Sequence, residues 1–224
     1  MIDGARGSTE AALGDGRPAR RTPDEIRGLL LAAAEELFSA HGYSRTSTKS
    51  IAERAGVAEV LLFRHFGGKA NLFREAIYQP LTSALEGFLE EWSDRAVAPG
   101  GAAVPARALV DTLHSVLSER RGAMVAFTGA QTFTGEVQPL MRGHEHPLRR
   151  LFDELERILL RYAVSEDFTG FNPPVAARTI VATVVSTTIF RDWLVPAGQA
   201  GPSDDAVVDE LVILMMHGVL HRPA

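Results

Sequence analysis

A chain of 224 residues, 46% hydrophobic and 23% charged, is long enough for one or two domains with substantial cores and has an ordinary globular balance. The absence of cysteine excludes disulfides, thiol nucleophiles and thiolate metal sites, and no apolar run reaches the roughly 18 residues needed to cross a bilayer. The net charge of −5 argues against a uniformly basic nucleic-acid binder, but it is unevenly spread: residues 17–75 carry +3 and residues 76–224 carry −6.

Residues 1–21 are rich in Gly, Ala and Arg without periodicity and read as a disordered tail. It contains no apolar export-signal core, so a cytoplasmic location is expected. Arg17, Arg20 and Arg21 lie next to the first helix, where they either reach a minor groove as an arm or stay solvated. Thr22 and Glu25, three apart with Pro23 between them, are the capping box of that helix. Ile26, Leu29, Leu30, Ala33, Ala34, Leu37 and Phe38 recur at helical spacing and give it one apolar face. Gly42 ends it, and Tyr43 tucks back beneath it.

Ser47 is a good N-cap for a second helix. In residues 47–66, Ile51, Ala52, Ala55, Val57 and Leu62 are apolar where two short helices must pack on each other. Gly56 sits in the turn, where the backbone needs a positive φ, and Ala52 is small enough for close approach. This is the spacing of a helix-turn-helix, which presents its second helix to the DNA major groove.

After Gly67 and Gly68 a helix is expected over 69–94, kinked at Pro80. The Ala-, Gly- and Pro-rich stretch 95–105 reads as a loop. Further helices are expected near 104–120, 122–133, 146–163, 173–194 and 204–221, with Asn172 and Ser203 as starts. No segment alternates as a strand, so the fold class is all-α. The helix over 173–194 contains the small, β-branched run AARTIVATVVSTTIF. The last helix has a wide apolar surface of Val207, Val208, Leu211, Val212, Leu214, Met215, Gly218 and Val219. These faces either bury each other or build a four-helix dimer interface. The dimer is favoured because one helix-turn-helix covers only half a twofold site.

Residues 24–75 resemble the DNA-binding domain of TetR-family transcriptional regulators. The matching runs are AAAEELFSAHGY, TSTKSIAERAGV and LLFRHFGGKANLF. The resemblance implies a three-helix DNA-binding domain over 22–75 and a helical ligand-binding and dimerisation domain over 76–224, after the disordered tail over 1–21. It also implies roles in the first domain. Thr48 and Lys49 meet a phosphate and a base edge, and Glu59 and Val60 fall where base contacts are made. Glu59 is acidic where DNA would lie, which costs affinity unless it accepts from a cytosine amino group. Leu61 and Phe63 stand where the family often has Thr or Ser and Tyr, and they lack the phosphate-binding hydroxyl. They pack inward or touch a thymine methyl, with the core the more natural place for Phe63. Arg64, His65 and Lys69 are phosphate contacts on this reading. The alternatives are a solvated surface for Lys49 and Arg64 and a core position for His65.

By the same resemblance, His114, Met124, Phe127, Gln131, Phe133, Phe152, Tyr162 and Arg178 line a pocket for a small hydrophobic or amphipathic effector. His144, Glu145 and His146 are the densest set of metal-ligand types, but they precede Pro147 in a loop and lack further ligands, so no metal is expected. No cofactor and no catalytic constellation is expected. The expected partners are a double-stranded operator and a second copy of the chain, with no membrane. The function implied is a one-component regulator, a repressor released by its effector. The rivals are a regulator of the same fold controlled by a protein partner and, more remotely, a helical enzyme.

Overall fold

The computed structural model describes residues 21–94, 103–133, 137, 147–165 and 172–220, and every regular element among them is helical. Residues 1–20 and the His144-Glu145-His146 run lie outside the described residues. The first helix, α1 (Pro23–Arg45), starts as its sequence dictates. The Thr22 hydroxyl accepts from the Glu25 N–H at 3.2 Å, and the Glu25 carboxylate accepts from the Thr22 N–H at 2.6 Å. Gly42, at φ 77° and ψ 170°, breaks the helix near its end. The buried Thr46 hydroxyl points its one proton between the carbonyls of Gly42 and Leu37, at 2.8 and 3.1 Å, beside the break. Tyr43 returns beneath the helix and stacks on Phe38 at 5.9 Å, and Phe73 meets both rings edge-on.

Helices α2 (Thr48–Ala55) and α3 (Glu59–Phe66) form the helix-turn-helix. Gly56 between them adopts φ 64°, and the N–H groups of Gly56 and Val57 close the end of α2 on the Ala52 carbonyl. A residue with a Cβ would pay about 1–2 kcal/mol in that left-handed conformation. The next helix runs as α4 (Lys69–Phe73), a π turn (Arg74–Tyr78) and α5 (Gln79–Asp94). The π turn explains how Pro80 is tolerated. A proline ring crowds the carbonyl four residues back and supplies no N–H. Here the wider turn pairs the Gln79 N–H with the Arg74 carbonyl, five residues back.

The remaining elements are α6 (Ala103–Glu119), α7 (Arg121–Phe133), α8 (Pro147–Ser165), α9 (Pro173–Ile189), α10 (Arg191–Leu194) and α11 (Asp204–Leu220). Asn172 caps α9, and the Ser203 hydroxyl accepts from the Ala206 N–H at the start of α11. The sequence reads one helix over 173–194, but the structure breaks it at Phe190. The reason lies far away in the chain. Arg121 donates to the carbonyls of Thr188 and Ile189 at 3.0 and 3.1 Å and to the Asp192 carboxylate at 2.8 Å. It takes over acceptors that the continuing helix would have used. The last helix does not bury its apolar face mainly on α9, one of the two arrangements expected; α11 lies mainly along α6. Val208, Leu211 and Val212 are buried, and Arg107 of α6 forms an ion pair with Asp209.

The buried side chains form two clusters. One joins α1, α2, α3, α4 and the π turn, and it includes Ala123, Ala126 and Ala130 of α7. The other joins α5, α6, α8, α9 and α11. α7 serves both, because Phe127 packs on the first and Met124 on the second. Its approach to α1 is close enough that a Cβ built on Gly122 would lie 2.8 Å from the Ser39 Cβ. Tyr78, buried at the end of the π turn, stacks on Phe127 at 5.6 Å. Burial, and secondarily the Glu86 charge, push its hydroxyl above the ordinary tyrosine value of 10.0.

Two outcomes follow. Gly122→Ala overpacks the α1–α7 contact and lowers stability by about 1–3 kcal/mol in urea unfolding. In a Ser39→Gly background the same change costs close to nothing, so a double-mutant cycle gives a coupling energy of the same order. Tyr78 holds its proton more tightly folded than unfolded. Its contribution is therefore full below pH 10 and is lost as pH rises through the higher folded value. Tyr78→Phe flattens the fall in stability measured between about pH 9 and 11 relative to the parent chain.

Candidate nucleic-acid interface and cavity

The helix-turn-helix is held from behind. Leu62 and Phe66 turn one side of α3 into the core, and Ile51, Ala52 and Ala55 do the same for α2. Residues one helical step away from these anchors must then face outward. Val60 is 69% exposed and Phe63 50% exposed, and Arg64 is exposed beside them. Phe63 therefore does not take the core position that its apolar character suggests. Leu62 and Phe66, four apart, occupy the inward face, and Phe63 is rotated about 100° from Leu62. Leu61 is half-buried at the side of the helix, and His65 is half-buried with its ring tilted against Phe66.

The charged groups of this surface are mostly committed to partners. Thr48 donates its hydroxyl proton to the Glu59 carboxylate at 2.6 Å, linking the first residues of α2 and α3. Lys49 lies 3.9 Å from Glu53, with both side chains well exposed. The Lys69 ammonium sits over the Tyr43 ring at 4.1 Å. Arg54 pairs with Glu36 at 2.7 Å. Arg21 donates to the Gly56 carbonyl at 2.9 Å, so it is held against the turn between α2 and α3, while Arg17 and Arg20 lie outside the described residues. Arg64 makes no ion pair or hydrogen bond among the described residues. Behind α3, Arg27 forms an ion pair with Glu75 of the π turn and lies 5.3 Å over the Phe66 ring.

A cavity of about 180 Å³ lies between α5, α6, α7, α8 and α9. Its lining is aliphatic and aromatic, and Tyr78, Thr82 and Thr128 are the polar residues among it. Of the residues named from sequence, Met124 and Phe127 line it. His114 is buried but elsewhere, and Gln131 is likewise not part of the lining. Phe152 and Arg178 pair with each other as a cation and a ring at 4.8 Å, with Arg178 also bound to Glu156 at 2.6 Å on the surface. The side chains of Phe133 and Tyr162 lie outside the described residues. Sequence reasoning missed Tyr78, Thr82, Leu117 and Val185, among others. Their helical spacing carries no mark that separates a cavity wall from a packed core.

Among the described residues, apolar groups are exposed on α9, α10 and α11. Val175, Thr179, Ala182 and Ser186 run along the outer side of α9, and Ile213 and Leu214 face outward from α11. On α10, Trp193 is 81% exposed, with the Phe190 ring 6.4 Å away. Among the described residues no group of three or more His, Cys, Asp or Glu could hold a metal ion, and no helix is long and apolar enough to cross a membrane.

Comparison with known proteins agrees with this geometry. The sequence profile of the bacterial regulatory proteins of the tetR family matches residues 30–76, from mid-α1 into the π turn. The transcriptional activator FasR of Mycolicibacterium smegmatis is 37% identical over 82 residues, which is 37% of this chain and 37% of that relative. The chain thus aligns with little more than a third of FasR. The transcriptional regulator TcmR of Streptomyces glaucescens is 30% identical over 191 residues, 81% of this chain and 76% of TcmR. Among solved structures, NalD of Pseudomonas aeruginosa, the secondary repressor of the MexAB-OprM multidrug efflux pump, superposes with a TM-score of 0.63. It is 25% identical, over 90% of this chain and 98% of NalD. With a relative at this identity matched along most of both chains and the helix-turn-helix in its expected place, the chain belongs to the TetR family of DNA-binding transcriptional regulators.

Proposed function

We propose that this chain is an effector-responsive repressor that binds a pseudo-palindromic operator as a homodimer in the cytoplasm. Residues 22–75 form its DNA-reading part and residues 76–224 its effector-binding and dimerising part. The observation that carries the reading is the two-sided packing of α3, with Leu62 and Phe66 inside and Val60, Phe63 and Arg64 outside. A helix anchored this way and exposed along one face fits a major groove. The exposed apolar groups of α9 and α11 support a twofold dimer, which doubles the half-site that one α3 can read.

The apolar cavity supports a hydrophobic or amphipathic effector, and it favours this reading over control by a protein partner alone. Among the described residues of its lining Tyr78 is the one with an ordinary acid–base side chain, which gives no acid–base pair for an enzyme. Effector and DNA must prefer different arrangements of the same chain for one to release the other. The segment 69–94 is placed to connect them. Tyr78, Leu81 and Leu85 touch the cavity, while Leu72 and Phe73 sit in the core under α3.

Selection of bound duplexes from a random pool tests the reading, with enrichment of a palindrome as the expected result. On that palindrome Arg64→Ala weakens binding and reduces the slope of log affinity against log salt by about 0.9, the value for one phosphate contact. An unchanged slope assigns Arg64 to another role. Fatty acids and uncharged lipophilic compounds can be screened for release of the bound duplex. For those that act, Val185→Phe, which adds volume to the cavity wall, leaves the duplex bound at effector concentrations that release the parent chain.

A further inference from the structure

We propose that Glu59 reads a cytosine in each operator half-site and that Thr48 is a positioning residue for it, not a phosphate contact. The inference rests on the reading of α3 as the DNA-facing helix. A threonine hydroxyl has one proton to give. Here that proton is given to the Glu59 carboxylate at 2.6 Å, so Thr48 has none left for a phosphate oxygen while the bond holds.

Glu59 is the first residue of α3 and half-buried, and the Thr48 hydroxyl is its one side-chain partner among the described residues. No Lys or Arg among them forms an ion pair with it. The cations nearest in sequence are committed elsewhere, Lys49 beside Glu53 and Arg54 on Glu36. A carboxylate brought among phosphates without a cation is repelled unless the groove offers it a donor. A carboxylate can only accept, so the base edge must donate.

The four base edges sort cleanly on this criterion. Guanine presents two acceptors to the major groove, and thymine an acceptor and a methyl group. Adenine presents its amino donor beside the N7 acceptor, which opposes a second carboxylate oxygen. Cytosine presents the N4 amino donor alone. The hydrogen bond from Thr48 restrains one Glu59 oxygen and leaves the carboxylate with further lone pairs for such a donor. The same arrangement makes guanine and thymine unfavourable, because neither offers a donor, and adenine less favourable than cytosine, because its N7 acceptor faces the second carboxylate oxygen.

The experiment uses the full chain and the random duplex pool, followed by single-base variants of the selected duplex. The expected result is a symmetry-related cytosine in the enriched sequence, with replacement of that base costing roughly tenfold or more in affinity. Glu59→Gln, which can both donate and accept, loses that preference at this position and keeps the others. Thr48→Val keeps the shape but removes the proton, and it lowers discrimination at the same base. Thr48→Ser restores the proton and the discrimination, which a purely structural role for Thr48 would not require. An enriched palindrome on which Glu59→Gln leaves every base preference intact overturns the assignment of Glu59. Equal weakening by Thr48→Val on all duplexes, with the cytosine preference intact, overturns the positioning role. Failure of the parent chain to enrich any duplex overturns the DNA-facing reading itself, and this inference with it.

Discussion

The contact between α1 and α7 supports the position of the helix-turn-helix. Helix α3 does not hold itself in place. Its anchors Leu62 and Phe66 enter a core whose largest wall is α1, through Leu30, Ala34 and Phe38. The opposite support of that wall is α7, where Ala123, Ala126 and Ala130 allow the backbones to come close and Gly122 meets Ser39 with no room for a methyl group. Small residues give such an interface little tolerance, because close-packed side chains transmit a displacement instead of absorbing it. The other end of the chain of contacts is equally defined. Arg121, one residue before Gly122, is bonded to the last carbonyls of α9 and to Asp192. The end of α9 is thereby tied directly to the first turn of α7, which packs on α1.

A second connection runs along the helix that begins at Lys69. The π turn places Tyr78 against the cavity and Phe127, and it places Glu75 on Arg27 of α1. Arg27 in turn covers the Phe66 ring at the end of α3. A π turn has looser backbone pairing than the α-helix around it and tends to occur at functional positions. The proline two residues beyond the turn disfavours closing it into a regular α-helix, because that would crowd a carbonyl that the wider turn frees.

Features governed by neighbours in sequence were legible without coordinates. The Thr22–Glu25 capping box, the break at Gly42, the return of Tyr43, the positive φ of Gly56 and the starts at Asn172 and Ser203 all depend on a few adjacent residues. The helix ends set by distant partners were not. At the break at Phe190 Arg121, some 70 positions earlier, binds the last carbonyls of α9, and nothing in the run of β-branched residues announces it. Phe63 lies between these cases. Its apolar side chain pointed to the core, yet the pairing of Leu62 with Phe66 already implied that it faces out. The cavity was only partly legible, because Met124 and Phe127 look the same in sequence whether they close a core or line a space.

The allocation of charge on the DNA-reading side constrains how such a surface can work. Its net charge is only slightly positive, and its cations are largely answered by its own groups: Arg27 by Glu75, Arg54 by Glu36, Lys49 by Glu53, and Lys69 by the Tyr43 ring. Non-specific affinity comes from cations that displace counterions, so each cation already satisfied contributes less of it. What α3 exposes is mixed: Val60 and Phe63 present apolar surface beside the Arg64 guanidinium, and the half-buried Glu59 carboxylate adds negative charge. Apolar contacts and a carboxylate gain little from a duplex of arbitrary sequence. A surface composed this way depends on base-edge contacts for its affinity.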